Sequence, residues 1–279
     1  MIPPIASRFV ADTTASGTLE YVADCNDDEL GAILNLLGEH YHERGPADED
    51  ADEYCRLVTE LARRDLDGCI SVKPSQIGID VGPDVFAANF ERIVEAGADE
   101  DVFVWCDMED HTTTDTTLDA VEATARDHPH GVGVAIQANL KRTRDDLRRL
   151  SDVPAAVRLV KGAYDEPSSV AHQSKEAVND AYEAHLEYLF REFDRGVAVG
   201  SHDPQMLELA TDLHEEYGTP FEIQMLMGVR EDAQRELARQ GYEVNQYVPY
   251  GGKWMQYFYR RIRERKENAL FALRAVVGV

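Results

Sequence analysis

The chain has 279 residues, of which 43% are hydrophobic, so it is long enough and apolar enough to form one large domain with a full core. Its 53 acidic and 28 basic residues give a formal net charge of −25, which disfavours binding to nucleic acid and to anionic lipid. Only six of the basic residues are lysine, and this composition is typical of proteins adapted to high salt, where counter-ions screen the repulsion between carboxylates.

The N-terminus and the cysteines indicate a cytoplasmic location. Residues Met1 to Pro4 lack the basic region and apolar run of a signal peptide, and no apolar run in the chain approaches the length of a membrane-spanning helix. The four cysteines are scattered without CxxC spacing, as expected for reduced thiols.

Eight short apolar runs, each followed by a helical pattern, predict a (β/α)₈ barrel. The runs are rich in Val, Ile, Leu and Phe without strict alternation, which is typical of strands buried on both faces of a parallel sheet. We predict strands at Ala32–Leu37, Cys69–Lys73, Val102–Asp107, Val132–Gln137, Val157–Lys161, Val197–Ser201, Phe221–Leu226 and Asn245–Tyr250. Helical spacing follows at Asp84–Ala96, Thr117–Arg126, Lys175–Phe193, Gln205–Tyr217 and Glu231–Arg239.

The same pattern predicts a single domain over residues 1–279. Residues 1–31 precede the first strand as a short N-terminal arm, and Gly45–Asp52 has the composition of an acidic loop. A doubly wound open sheet is the alternative architecture, but no G-x-G-x-x-G follows an early strand.

Polar residues collect where the predicted strands end, which is where barrel enzymes carry their active sites. Each has a simpler structural explanation: a strand-end lysine often extends to solvent, an acidic cluster can start a helix, and a histidine can cap one. We expect no metal site, because no His/Glu constellation is evident. The strand-end candidates are Lys73, Asp107, Gln137, Arg158, Lys161, Ser201, His202, Gln224 and Tyr247.

An arginine pair near the C-terminus completes the pattern. Arg260 and Arg261 form a fork suited to a small carboxylate, and Glu264 lies one helical turn later, where it can orient them. Taken alone, the pair would more often be a solvated basic face of a helix.

The strand-end segments and the arginine pair resemble, in sequence and in their order along the chain, those of the proline dehydrogenases. These are flavin enzymes that oxidise L-proline. The resemblance covers roughly residues 32–275, although Asn35 stands where relatives often have Asp. It implies a distorted barrel whose last helix lies over the C-terminal ends of the strands, and a monofunctional enzyme. The matching blocks are Ala32–Glu39, Ser71–Lys73, Asp107–Asp110, Arg158–Tyr164, Ser201–Asp203, Glu222–Leu226 and Tyr247–Gly251, followed by Arg260, Arg261 and Glu264.

The resemblance also implies FAD as cofactor and assigns roles to residues. Lys73, Arg260 and Arg261 would hold the proline carboxylate. Tyr247 would pack on the substrate ring, and Glu264 would orient the arginines. Asp107 and Arg158 would act beside the substrate and the flavin N5, where the hydride is accepted and Δ1-pyrroline-5-carboxylate formed. The flavin contacts would be Met108, Gln137, Arg158, Lys161, Gly162, Ala163, Ser201, His202 and Gln224.

Relatives pass their electrons to a membrane quinone, so the resemblance implies a quinone or another acceptor as partner. Weak peripheral contact with the inner face of a membrane is compatible with that role, although the net charge opposes it unless salt screens it. The rival hypothesis is a barrel lyase or aldolase in which Lys73 or Lys161 forms a Schiff base with a carbonyl substrate.

Overall fold

Eight parallel strands close into a barrel in sequence order, β1 pairing with β8. The computed structural model describes residues 6–38 and 40–255. The predicted barrel is therefore confirmed, whereas the predicted last helix over the strand ends lies outside the described residues. The strands are β1 Gly31–Leu36, β2 Gly68–Val72, β3 Val104–Cys106, β4 Val132–Gln137, β5 Ala156–Val160, β6 Val197–Gly200, β7 Phe221–Leu226 and β8 Val244–Tyr250.

Within the described ranges, helices surround the barrel, and none of them is long and apolar enough to span a membrane. Each of the five predicted helices is present: three have slightly wider bounds, Glu231–Arg239 has the same bounds, and the helix predicted at Lys175–Phe193 ends one residue earlier. The helices are α1 Ala15–Asp27, α2 Arg44–Arg63, α3 Pro83–Asp99, α4 Thr114–Asp127, α5 Thr143–Leu150, α6 Lys175–Glu192, α7 Pro204–Tyr217 and α8 Glu231–Arg239, and a 3₁₀ turn spans Ala6–Arg8.

Two sequence expectations about the first part of the chain need correction. The N-terminal arm contains α1, which begins where the Thr14 side chain accepts a hydrogen bond from the backbone N–H of Gly17 (3.2 Å). The predicted acidic loop Gly45–Asp52 is the first half of α2. Ala47, Ala51 and Tyr54 recur every three to four residues and are buried, so the acidic residues between them occupy the outer face of a helix.

The apolar core has two parts. The larger lies between the barrel and its helices, and the smaller fills the barrel interior with Ile33, Trp105, Ala156 and Ala198. Gly133 makes room for the Trp105 ring, because a Cβ added there would lie 2.5 Å from it. Cys69, Phe103 and Tyr247, which are partly buried, pack against this smaller cluster.

The strand ends set the position of the candidate residues. Lys73, Asp107, Lys161 and Ser201 were predicted as the last residues of their strands, and each instead follows directly on the last residue of the observed strand. Since parallel strands all point the same way, these side chains gather at the C-terminal end of the barrel.

Candidate functional site

Asp107 is the centre of the polar cluster at the C-terminal end of the barrel. One carboxylate oxygen, Oδ2, accepts hydrogen bonds from the Lys73 amine and from the Tyr247 hydroxyl, the latter at 2.7 Å. The other, Oδ1, accepts from the Arg158 guanidinium and from the Ser71 hydroxyl, the latter at 2.7 Å. Strands β2, β5 and β8 thus deliver four donors to one carboxylate that follows β3.

These contacts fix the charge of each partner. Burial acts to raise the pKa of Asp107, but the charges of Lys73 and Arg158 outweigh it and hold that pKa well below its usual value. Burial likewise acts to lower the pKa of the Lys73 amine, but Asp107, Tyr164 and Glu109 together more than offset it, so that pKa is raised. The cluster is therefore ionised throughout the neutral range, with two cations to one carboxylate.

Arg158 is the most enclosed of the charged side chains in the cluster, with 4% of its surface exposed. Besides Asp107 it donates from Nη2 to the Ser71 hydroxyl (3.1 Å) and from Nη1 to Oε1 of Gln224 (2.9 Å). Its guanidinium carbon lies 5.1 Å from the centre of the Trp105 ring and 5.6 Å from that of Tyr247. These contacts leave the guanidinium one orientation.

A second group of contacts joins the loops that follow β2, β3 and β5. The Glu109 carboxylate accepts from the backbone N–H (2.6 Å) and the hydroxyl (2.8 Å) of Ser75. Gln137, at the end of β4, donates to the Glu109 carbonyl oxygen (2.7 Å), and its Oε1 accepts from the backbone N–H of Ala163 (3.4 Å). These bonds hold the loop after β5 against the end of β4.

Beside them, Lys161 and Gly162 form the first turn of the loop after β5. The Lys161 amine donates to Oδ1 of Asn179 (2.6 Å) and to Oδ2 of Asp203 (2.7 Å). Gly162 has φ +112°, and a Cβ there would lie 2.2 Å from Oδ1 of Asn139, so only glycine is accommodated. That Asn139 oxygen is buried and has no hydrogen-bond partner among residues 6–38 and 40–255.

Ser201 and His202 follow β6. The Ser201 hydroxyl accepts from the backbone N–H of Asp203 (3.2 Å), and Nε2 of His202 accepts from the backbone N–H of Leu226 (2.7 Å). An accepting Nε2 indicates a neutral ring with its proton on Nδ1. The predicted residues at the ends of β4, β5, β6 and β7 are therefore neighbours around one rim of the barrel.

Comparison with known proteins identifies the family. A sequence model described as proline dehydrogenase matches residues 18–274. The chain is 33% identical over 277 residues to "Proline dehydrogenase 1" of Bacillus subtilis strain 168, covering 98% of this chain and 90% of that protein. It is 32% identical over 282 residues to "Proline dehydrogenase" of Deinococcus radiodurans, with 98% and 90% covered. This chain belongs to the proline dehydrogenase family.

Solved structures agree on the fold. The barrel matches proline utilization A from Bdellovibrio bacteriovorus inactivated by N-propargylglycine, with a TM-score of 0.86, 23% identity and 94% of this chain covered. It also matches proline utilization A from Corynebacterium freiburgense, with a TM-score of 0.80, 20% identity and 97% of this chain covered. This chain spans about a third of each of those longer proteins, with 33% and 32% of them covered.

The rim formed by the ends of β4 to β7 fits the flavin expected of a proline dehydrogenase. The Asn139 oxygen, which has no partner among the described residues, can accept a hydrogen bond from a ligand, and Gly162 leaves the space in which the Asn139 side chain lies. The Lys161 ammonium has three donors, and Asn179 and Asp203 take two of them, so within the described part of the chain one remains for an acceptor such as a phosphate oxygen.

Some predicted residues of the family site are not joined to this cluster by described contacts. Met108 is buried and belongs to the larger apolar cluster, so its contact with a flavin ring stays a prediction. Arg260, Arg261 and Glu264 lie outside the described residues, and their role in holding a carboxylate also stays a prediction.

Three residues that the sequence analysis did not assign are prominent in the geometry. Ser71 bonds to Asp107 and Arg158, Glu109 holds the loop after β2, and Asn139 faces Gly162. The signal for Ser71 was its place two residues before Lys73 on the same strand, since alternate residues face the same side. No comparable signal pointed to Asn139, whose importance depends on a loop from the next strand.

Proposed function

We propose that this protein oxidises L-proline to Δ1-pyrroline-5-carboxylate with FAD as cofactor. The observation that carries the proposal is the cluster of Lys73, Asp107 and Arg158 at the C-terminal end of a barrel from the proline dehydrogenase family. Its surplus of positive charge suits a small carboxylate, and its fixed geometry suits a reaction that needs one orientation of a small ring.

Different residues at the C-terminal end of the barrel would bind different parts of the substrate. Lys73, kept charged by Asp107, would hold the proline carboxylate together with Arg260 and Arg261, and Glu264 would orient that arginine pair. The Tyr247 ring, fixed through its hydroxyl, would pack on the pyrrolidine ring and disfavour 4-hydroxyproline. These positive charges favour a neutral proline amine, whose lone pair becomes part of the C=N bond of the product.

The cofactor would lie along the rim at the ends of β4 to β7. When bound, FAD supplies the hydride acceptor, at its N5 atom. Arg158 would face the isoalloxazine ring with Met108, Gln137 and Gln224 nearby. The turn of Lys161, Gly162 and Ala163 would meet the phosphates and ribityl chain, and Ser201 and His202 would complete the site.

The electrons must then leave to a second substrate. A quinone is the acceptor that the family suggests, and contact with the inner face of a membrane would be weak and salt-dependent, because the net charge of −25 repels anionic lipid.

The structure disfavours the rival lyase or aldolase. A Schiff-base lysine must lose its proton to attack a carbonyl, and so needs a lowered pKa. The pKa of Lys73 is instead raised by Asp107, despite burial, and the Lys161 amine is paired with Asp203. Neither lysine has the surroundings of a nucleophile.

An absorption spectrum tests the proposal. Protein purified in concentrated KCl should show the visible bands of a flavin, and anaerobic addition of L-proline should bleach them. A protein that stays colourless after incubation with FAD, or a bound flavin that proline does not reduce, would contradict the proposal.

A further inference from the structure

A continuous column of polar side chains runs through the barrel interior from the Asp107 cluster toward the N-terminal end. Arg158 donates to Oε1 of Gln224 (2.9 Å), and Nε2 of Gln224 donates to Oε1 of Glu222 (2.7 Å). The other oxygen of Glu222 accepts from the side-chain amide of Asn245. Glu222 and Gln224 are alternate residues of β7, so both face the interior.

The direction of these hydrogen bonds is forced. A guanidinium can only donate, so Gln224 must present its oxygen to Arg158. The amide nitrogen of Gln224 then faces Glu222, which must accept. An ionised carboxylate meets that requirement, and it meets the same requirement from Asn245 on its other oxygen. The Glu222 carboxylate therefore fixes the orientation of the Gln224 side-chain amide.

We propose that Glu222 is a positioning residue for the oxidation of proline, acting through the orientation of the Gln224 amide on the guanidinium of Arg158. The inference rests on the proposed function for its effect on the reaction. The column itself is independent of that function.

Protonation of Glu222 would disturb the column. A proton on either oxygen of Glu222 becomes a donor that faces the amide donor of Gln224 or of Asn245. The Asn245 amide also bonds to Glu243, which holds its orientation, so the Gln224 amide is the one that rotates. Rotation of the Gln224 amide relieves this, but it turns the amide nitrogen toward Arg158, where two donors would meet. Protonated Glu222 thus weakens the hold on Arg158.

The charges around Glu222 place this change in the neutral range. Burial and the charge of Glu243, which precedes β8, raise the pKa of Glu222 to about 7, against the opposing effects of Gln224, Arg158 and Asn245. Asp67, which precedes β2, acts in turn on Glu243, whose own pKa is raised by burial and by that carboxylate. The Cys69 thiol beside them has a pKa raised by burial and stays neutral.

The test compares wild type with Glu222→Gln over pH, using the ratio of their kcat/KM values for L-proline so that the titration of proline itself cancels. A glutamine cannot accept from both neighbouring amides at once. We expect the variant to have about one tenth of wild-type kcat/KM above pH 8 and a ratio approaching one below pH 6. A ratio that does not vary with pH would overturn the proposal, because a merely structural loss has no such dependence.

Glu243→Gln is the matched control, because Glu243 adds charge near Glu222 without bonding to Gln224. This variant should keep wild-type kcat/KM at high pH and move the acid-side inflection to lower pH, since a repelling charge has gone. It also keeps the proposal testable if Glu222→Gln does not fold. An inflection unmoved in Glu243→Gln would contradict the assignment to Glu222.

A readout without turnover separates this inference from the proposed function. The side-chain NMR signal of Arg158 in ¹⁵N-arginine protein, identified by its loss in Arg158→Lys, should shift with pH around 7 in wild type and not in Glu222→Gln. A signal that does not shift in wild type, or that shifts equally in both, would overturn the inference. Failure of proline to reduce the flavin would instead overturn the proposed function alone.

Discussion

The barrel interior carries a carboxylate at each end, and the two have opposite electrostatic surroundings. Asp107, at the C-terminal end, bonds directly to Lys73 and Arg158, and its pKa is held well below the usual value despite burial. Glu222, near the N-terminal end, accepts hydrogen bonds from the amides of Gln224 and Asn245 and forms no ion pair with a described residue, and burial together with Glu243 raises its pKa to about 7. The amide donors supply hydrogen bonds to the Glu222 oxygens but do not offset the cost of burying its charge. The cations bonded directly to Asp107 do offset that cost.

The two ends therefore contribute to stability in opposite pH ranges. Asp107 has a lowered pKa in the folded protein, so its contribution is present above pH 3.8 and is lost as the pH falls toward the folded value. Glu222 has a raised pKa, so its contribution is present below about pH 4.5 and is lost as the pH rises through about 7.

Replacing Asp107 should produce the largest effect, since Asp107→Asn leaves two cations at the C-terminal end without their carboxylate. We expect the free energy of unfolding at pH 7 to fall by about 3–5 kcal/mol. We expect kcat/KM for proline to fall about a hundredfold or more, because Lys73 and Arg158 lose their orientation. Denaturant unfolding and steady-state kinetics measure the two effects.

The control for that variant is Glu60→Gln, which removes surface ion pairs to Arg63 and Arg64. It should change neither quantity measurably, as is usual for exposed pairs. An Asp107→Asn protein as stable as the Glu60→Gln control would show that the Asp107 cluster does not stabilise the barrel.

At the other end, Glu222→Gln should alter how stability varies with pH. The difference in unfolding free energy between wild type and variant should shift in favour of wild type by about 2 kcal/mol as the pH falls from 7 to 4.5, a value that allows for the partial exposure of the side chain. Denaturant unfolding at four or five pH values would measure it. A difference that is constant with pH would mean that Glu222 titrates alike in the folded and unfolded chains.

Tyr247 offers a finer test of the C-terminal end, because its ring and its hydroxyl have separate roles. Tyr247→Phe removes the hydrogen bond to Asp107 and should lower kcat/KM for proline roughly five- to tenfold while keeping the preference over 4-hydroxyproline. Tyr247→Ser removes the ring and should relax that preference. The preference is measured as the ratio of kcat/KM for proline to that for 4-hydroxyproline. An unchanged ratio in Tyr247→Ser would place the ring outside the substrate site.

Salt should act on the surface and leave the contrast between the two ends almost unchanged. With a net charge of −25, the melting temperature should rise with KCl, because the screening length of about 10 Å at 0.1 M shrinks as salt is added. The pH midpoint assigned to Glu222 should move by only a few tenths of a pH unit, since interior charges are screened less. A melting temperature that is flat with KCl would reject adaptation to high salt.

The sequence was sufficient for the barrel and most of the Asp107 end, because apolar runs and the residues that follow them obey local rules. All eight strands were predicted close to their bounds, and Lys73, Asp107 and Arg158 were named before their contacts were known. Helix α2 was missed because its many acidic residues obscured the buried spacing of Ala47, Ala51 and Tyr54.

The N-terminal end of the interior could not be predicted in the same way. Glu222 was noted only as part of β7, because the raised pKa depends on Glu243 and the hydrogen bonds depend on Asn245, both from another strand unit. The raised pKa and the hydrogen bonds of Glu222 depend on which strands lie next to each other in the barrel, and the local sequence does not show this. The polar pair Glu222 and Gln224 at alternate positions was the one local signal that an interior polar column exists.

The most direct test is a titration of the two carboxyl groups themselves. Carboxyl ¹³C NMR of protein labelled in Asp and Glu side chains, with signals identified by their loss in Asp107→Asn and Glu222→Gln, would follow both from pH 4 to 9. Asp107 should show no titration over this range and Glu222 a midpoint near 7. Midpoints for both groups near the usual value of about 4 would contradict the contrast between the two ends of the barrel.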